Sequence, residues 1–259
     1  MAFRMMDNGC SEWDALKLFQ PSDQDEYVAM VLNHALDNLI EDQLEVFTEC
    51  WNKATMRISV DGGTNVLHKI WNKIELPNII SGDFDSIRKE CLDFFEQKNV
   101  QIISTPDQDE PDFAKALKQI PIKDGQNFKY VIVFWQQTPR LDQTFSAIHS
   151  LHTWNMYHCG FPVFLVNLEG SVSWLLSKGD HLIRTSMNSR WCSIVPFNKG
   201  CKVTSSGLQY DMDHLNLSFD SIISTSNSFD PSAKRVKLRL DESALWSQAL
   251  HLASFNELH

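Results

Sequence analysis

From Tyr27 onward, short apolar runs of strand length alternate with amphipathic stretches of helix length. The runs are Tyr27 to Leu32, Met56 to Val60, Asn78 to Ile80, Val100 to Ile103, Tyr130 to Trp135 and Pro162 to Val166. Between them lie predicted helices near Glu41 to Trp51, Thr64 to Trp71, Ile87 to Gln97, Pro111 to Lys118 and Asp142 to Trp154. Strand and helix repeating at these lengths predict an α/β domain, a parallel sheet with helices on its faces. After Gly170 the pattern shortens to strand-like runs divided by turn residues: His181 to Arg184, Trp191 to Phe197, Cys201 to Ser205, Ser221 to Thr225 and Arg235 to Leu240. In the last, Val236, Leu238 and Leu240 alternate with Arg235, Lys237 and Arg239, the period of a strand with one wet face. The expected organisation is an N-terminal extension (1–26), an α/β domain (27–170) and an all-β domain (171–259).

Composition narrows the function classes. The chain has 259 residues, 43% of them hydrophobic, and a formal charge of -10. An acidic chain is a poor partner for a nucleic-acid backbone or an anionic membrane, so neither is expected. No run approaches the about 18 apolar residues of a membrane span, and Arg4, Asp7, Glu12 and Asp14 interrupt the start. Six cysteines without a Cys-x-x-Cys pair fit reduced thiols, and a cytoplasmic protein is expected.

The chemistry concentrates in loops that follow the apolar runs. Ile79-Ile80-Ser81-Gly82-Asp83-Phe84-Asp85-Ser86 ends a strand-like run in a glycine and two carboxylates, and Asp107-Gln108-Asp109-Glu110-Pro111-Asp112 follows the next run. Hard oxygen ligands at strand ends beside an open crevice suit magnesium carrying a phosphate ester, although one aspartate could simply cap the following helix. Asp61-Gly62-Gly63-Thr64-Asn65 could let backbone approach a phosphate, or be a tight strand-to-helix turn. Arg140-Leu141-Asp142-Gln143 would bring a guanidinium to the same edge, or form a surface ion pair. His149, His152, His158 and Cys159 lack the compact ligand pairs of a zinc site, and no Gly-x-Ser-x-Gly elbow occurs.

These loops resemble those of the thiamine pyrophosphokinase family. The resemblance is carried by Val31-Leu32-Asn33 with Leu36-Asp37-Asn38, Asp61-Gly62-Gly63-Thr64-Asn65, Gly82-Asp83-Phe84-Asp85-Ser86-Ile87, Ser104-Thr105-Pro106-Asp107-Gln108-Asp109 with Asp112-Phe113, and Arg140-Leu141-Asp142-Gln143. In the C-terminal half, Gly207-Leu208, Ser224-Thr225-Ser226-Asn227 and Leu245-Trp246 continue it. It implies a Rossmann-like catalytic domain followed by a β-sandwich, a homodimer, and transfer of the diphosphate of ATP to the hydroxyl of thiamine with release of AMP. Asp83, Asp85 and Asp112 would hold Mg2+, with Arg140 and Asp142 also catalytic. Asp61, Gly62, Gly63, Asn65, Gln108, Arg140 and Gln143 would surround ATP, and Ser224, Ser226 and Asn227 would contact thiamine, across the dimer.

The chain departs from the family pattern at Trp135-Gln136-Gln137-Thr138-Pro139, where the family has a glycine-rich loop, and at Val66, Pro111 and Tyr210. The alternatives are therefore a weakened relative that binds thiamine or its diphosphate, and an Asp-x-Asp phosphatase with Asp83 as nucleophile. The phosphatase motif normally ends the first strand, whereas about two strands precede it here.

Overall fold

The computed structural model describes residues 2–250 apart from 8, 23, 38, 123–127, 138–139, 158–159, 186–190 and 198–199. The chain divides into two compact units, residues 21–169 and residues 1–20 with 170–259. The chain opens with β1 (Phe3–Met5) and β2 (Ser11–Trp13), both in the second of these units.

Residues 21–169 run β3 (Tyr27–Val31), α1 (Glu41–Lys53), β4 (Met56–Val60), α2 (Thr64–Lys69), β5 (Ile79–Gly82) and α3 (Lys89–Gln97). Then come β6 (Gln101–Ser104), α4 (Asp112–Leu117), β7 (Tyr130–Phe134), α5 (Leu141–Tyr157) and β8 (Val163–Asn167). The strands pair in parallel in the order β8-β7-β3-β4-β5-β6. Every residue of β3 and β7 is buried, as unbroken apolar runs in the middle of a parallel sheet should be. Tyr27 and Tyr130, level with each other across these strands, stack at 5.1 Å, and the Tyr27 hydroxyl donates to Cys50 O at 2.6 Å. Phe47, Cys50 and Trp51 form the buried stripe of α1, and the Trp51 indole donates to Glu75 O. Chain order proceeds outward from β3 to β6, then restarts at β7 on the other side of β3. The carboxyl ends of β3 and β7 thus flank a topological switch point, where open α/β sheets bind ligands.

The other unit continues with β9 (Ser171–Leu176), β10 (Gly179–Arg184), β11 (Cys192–Pro196), β12 (Cys201–Ser206), β13 (Leu215–Leu217), β14 (Ser224–Asn227), β15 (Arg235–Leu240) and β16 (Ala244–Ala249). Its ladders run β1-β2-β10-β15-β12-β13 and β14-β11-β16-β9. The alternation in β15 holds, with Val236, Leu238 and Leu240 buried and the basic residues between them exposed. Trp13 of β2 meets Trp174 of β9 at 5.6 Å, and Trp174 meets Trp246 of β16 at 6.2 Å, so rings from both ladders share one core. Truncating a buried indole of this kind costs about 3–5 kcal/mol.

Three sequence expectations change. The first 20 residues are part of this β unit and not a separate extension. Trp13 is buried and donates to His181 Nδ1 at 3.1 Å, while buried Glu12 pairs with Arg4 and Arg184. Strands of three residues are too short to show a period, which is why β1 and β2 left no pattern. The expected strand Ser221 to Thr225 is shifted to Ser224–Asn227, and β9, β13 and β16 were not foreseen. The sequence of β16, Ala-Leu-Trp-Ser-Gln-Ala, has helix-forming residues, and its pairing on both sides with β9 and β11 overrides that preference.

Candidate functional site

A cavity of about 870 Å³ opens within residues 21–169, lined from the ends of β3, β4, β5, β6 and β7 and from the start of α5. Its size suits a nucleotide-sized ligand. Asn33 and His34 reach it after β3, Asp61 after β4, Asp83 and Asp85 after β5, Gln108 to Asp112 after β6, and Trp135 and Gln136 after β7. Each loop belongs to the same edge because parallel strands all end on one side.

Asp61, Asp83 and Asp85 each bring a carboxylate oxygen within 4.8 Å of the others. Two backbone conformations make this possible: Asp61 has φ 42° and Phe84 has φ 67°, both in the left-handed region that a side chain of this size rarely enters. Strain at Phe84 turns Asp83 and Asp85 toward one point. Gly82 is required beside them, since a Cβ there would lie 2.9 Å from the Asp61 Cβ. Asp61 is 5% exposed and its Oδ1 meets no donor. Burial raises its pKa, and Asp112 and Asp85 add to the rise against hydrogen bonds from Gly62 and Ser86. Asp83 is held in the opposite direction, below the usual carboxylate range, chiefly because Gln108 Nε2 donates to its Oδ2 at 2.8 Å. A buried, unpartnered carboxylate oxygen beside two more carboxylates is a donor set that fits a hard divalent cation.

Asp112 opens α4 and stands 2.7 Å from the Nζ of Lys115. Lys115 was not foreseen. It sits one turn along α4 among the buried Phe113, Ala116 and Leu117, and its i, i+3 spacing from Asp112 was the available signal. Arg140 and Gln143 line the cavity, whereas Asp142 does not. Asp142 is exposed and ion-paired with Arg140, whose hydrogen bond holds its carboxyl below the usual range. The ion pair holds the guanidinium in place.

Gly62, Gly63 and Asn65 do not line the cavity and stand behind the loops that do. A Cβ on Gly62 would fall 2.5 Å from Asn33 Oδ1, and one on Gly63 would fall 2.9 Å from Leu32 O, so the glycine pair lets the β3 and β4 loops close together. Asn65 donates to Ser86 O at 2.9 Å and accepts from Arg88 N–H at 2.8 Å, clamping the loop that carries Asp85. In the loop 135–139, Trp135 and Gln136 line the cavity, while Thr138 and Pro139 lie outside the described residues. His158 and Cys159 of the discounted zinc reading lie outside them too.

Ser224, Ser226 and Asn227 lie on β14 in the other unit. Ser224 is half-buried, Ser226 exposed and Asn227 buried. The Asn227 amide is committed to backbone: Oδ1 accepts from Tyr210 N–H at 3.2 Å and Ser228 N–H at 2.9 Å, and Nδ2 donates to Tyr210 O at 2.9 Å.

Comparison with known proteins agrees with this geometry. Residues 47–165 match the family described as "Thiamin pyrophosphokinase, catalytic domain", and residues 180–245 that described as "Thiamin pyrophosphokinase, vitamin B1 binding domain". Thiamin pyrophosphokinase 1 of Caenorhabditis elegans is 32% identical over 203 residues, covering 76% of this chain and 80% of that protein. The crystal structure of yeast thiamin pyrophosphokinase superimposes with a TM-score of 0.81 at 18% identity, covering 96% of this chain and 93% of that one. Thiamin pyrophosphokinase from Candida albicans does so with a TM-score of 0.74 at 20% identity, over 88% and 90%. The mixed α/β fold is the one those structures share, and with the nematode relative matched over most of both lengths, this chain belongs to the thiamin pyrophosphokinase family.

Proposed function

We propose that the chain transfers the β,γ-diphosphate of ATP to the hydroxyl of thiamine at the cavity formed by residues 32–147. The carrying observation is the meeting of Asp61, Asp83 and Asp85 at two adjacent strand ends, with Asp112 and Gln108 beside them. A polyphosphate cannot approach such a cluster unaccompanied, so these acids require a divalent cation between them and the substrate. Asp83, Asp85 and Asp61 would hold Mg2+, with Asp112 at the cluster's edge. When bound, the cation neutralises charge on the transferred phosphoryl oxygens.

The reaction forms a bond from the thiamine oxygen to the β-phosphorus and breaks the bond from that phosphorus to the oxygen bridging to the α-phosphate, which leaves on AMP. Arg140, lining the cavity and steadied by Asp142, supplies positive charge to the same oxygens. In a loose transition state the alcohol proton departs late, to solvent, so positioning outweighs a strong base. Ser224 and Ser226 would contact thiamine from the β unit, read as a β-sandwich following a Rossmann-like domain, and Asn227 would hold the adjacent Tyr210 turn. We take the assembly to be a homodimer and its location to be cytoplasmic. Among the described residues no helix is long and apolar enough to cross a membrane.

The Asp-x-Asp phosphatase reading is disfavoured by the fold, since Asp83 follows the third parallel strand of its unit in chain order. The weakened-relative reading rests on the altered loop after β7 and on Val66, Pro111 and Tyr210. Incubation of the pure protein with ATP, Mg2+ and thiamine should yield AMP and thiamine diphosphate in equal amounts. Asp83→Asn should lower turnover by about 100-fold or more while the far-ultraviolet spectrum stays native. ADP or free phosphate as the product, or full turnover in the variant, contradicts the proposal.

A further inference from the structure

We infer that Lys115 is a positioning residue of this site, setting one of its carboxylates directly and another through the loop that follows β6. Lysine is almost never buried without partners, yet Lys115 is 6% exposed. Its Nζ donates to Thr105 O at 2.7 Å and to Asp107 O at 2.8 Å, and lies 2.7 Å from Asp112 Oδ1. The two carbonyls take the aligned donors. Asp112 Oδ1 accepts no aligned hydrogen bond and is held by the ammonium's charge.

The carbonyl partners identify what the lysine controls. Thr105 and Asp107 belong to the loop whose Gln108 donates to Asp83 Oδ2, and Asp107 in turn accepts from Asp109 N–H at 2.9 Å. Lys115 therefore acts directly on Asp112 and, through the loop and Gln108, on Asp83. Of the lysines and arginines lining the cavity, Lys115 and Arg140, only Lys115 is buried. Removing it leaves two carbonyls without their donor and brings Asp112 nearer to full repulsion from Asp61, so the acids lose their spacing before any nucleotide arrives. This rests on the placement of diphosphoryl transfer at the cavity.

Lys115→Met should speed hydrogen exchange at the Thr105 and Asp109 amides by about tenfold or more in metal-free protein, leaving the strands of the other unit unchanged. Calorimetric affinity for the Mg2+ complex of a nonhydrolysable ATP analogue should fall about tenfold, with the thiamine KM within about twofold of wild type. Because both act through one loop, Lys115→Met with Gln108→Ala should lose no more analogue affinity than Lys115→Met alone. Lys115→Arg, which keeps charge and donors, should recover part of the loss. Unchanged loop exchange in Lys115→Met, or additive losses in the double variant, overturns the inference. If Lys115→Met does not fold, Gln108→Ala carries the test, and wild-type analogue affinity in that surface variant overturns the relay. Wild-type analogue affinity and turnover in Asp83→Asn would instead overturn the placement of the reaction itself.

Discussion

The side-chain amide of Asn227 makes three hydrogen bonds to the backbone of Tyr210 and Ser228, and is 5% exposed. Asn227→Ala leaves those backbone groups unpaired and should destabilise the protein by about 1–3 kcal/mol in denaturant melts. The thiamine KM should rise with it, since the Tyr210 turn is freed. A variant as stable as wild type, with only the thiamine KM raised, would mean that the amide turns to the ligand instead of the backbone. Asn227 illustrates how far single residues were legible. Asp83 and Asp85 stood out as two carboxylates and a glycine after an apolar run, where capping explains only one acid, whereas Gln108 was reached only through the family resemblance. The close approach of Asn33 to Gly62 could not be read, because those loops are distant in sequence, and for Lys115 only the i, i+3 spacing from Asp112 was there to read, since its bonds to Thr105 O and Asp107 O form only when the loop folds back.

At the scale of elements, β2 pairs in parallel with β10, placing Ile183 level with Trp13, and His181 fastens the pair. The Trp13 indole donates to His181 Nδ1, so the ring carries its proton on Nε2, which donates to Ser177 O at 2.7 Å. Burial lowers the His181 pKa, outweighing the hydrogen bond to Ser177 O and the charge of Asp180. A folded-state pKa below the unfolded value of about 6.5 means the unfolded chain binds the proton more tightly. Stability from this residue is therefore complete above about pH 6.5 and is lost as pH falls toward the folded value, by at most about 1.4 kcal/mol per pH unit. Thermal melts between pH 7 and 5 should show this slope, and His181→Gln should flatten it. An equal slope in the variant would assign the acid sensitivity elsewhere.

At the scale of the whole molecule, the proposed homodimer predicts complementation. If β14 of one protomer completes the cavity of its partner, Asp83→Asn and the double variant Ser224→Ala/Ser226→Ala carry their defects on opposite sides of each site. Random reassortment of equal amounts makes half the dimers mixed, each with one intact site of two. About a quarter of wild-type activity should then return on mixing. Sedimentation should show the dimer, and exchange of labelled protomers without any recovered activity would contradict a site shared between subunits.

The sequence by itself determined the six parallel strands, the five helices and the loops that carry the acids. These rest on local periodicity and on residues whose chemistry is limited, such as the Gly82-Asp83-Phe84-Asp85 turn. Only the tertiary structure decided that β1 and β2 join the β unit, that β16 is a strand despite its helix-forming residues, and that Gly62, Gly63 and Asn65 shape loops without lining the cavity. It also decided the state of the acids. Asp61, Asp83 and Asp142 are the same residue type, yet burial raises the first, Gln108 lowers the second and Arg140 lowers the third. The physical reason is range: periodicity and turn chemistry act within a few residues. Pairing partners, burial and charge environment are set by groups that meet only once the chain has folded.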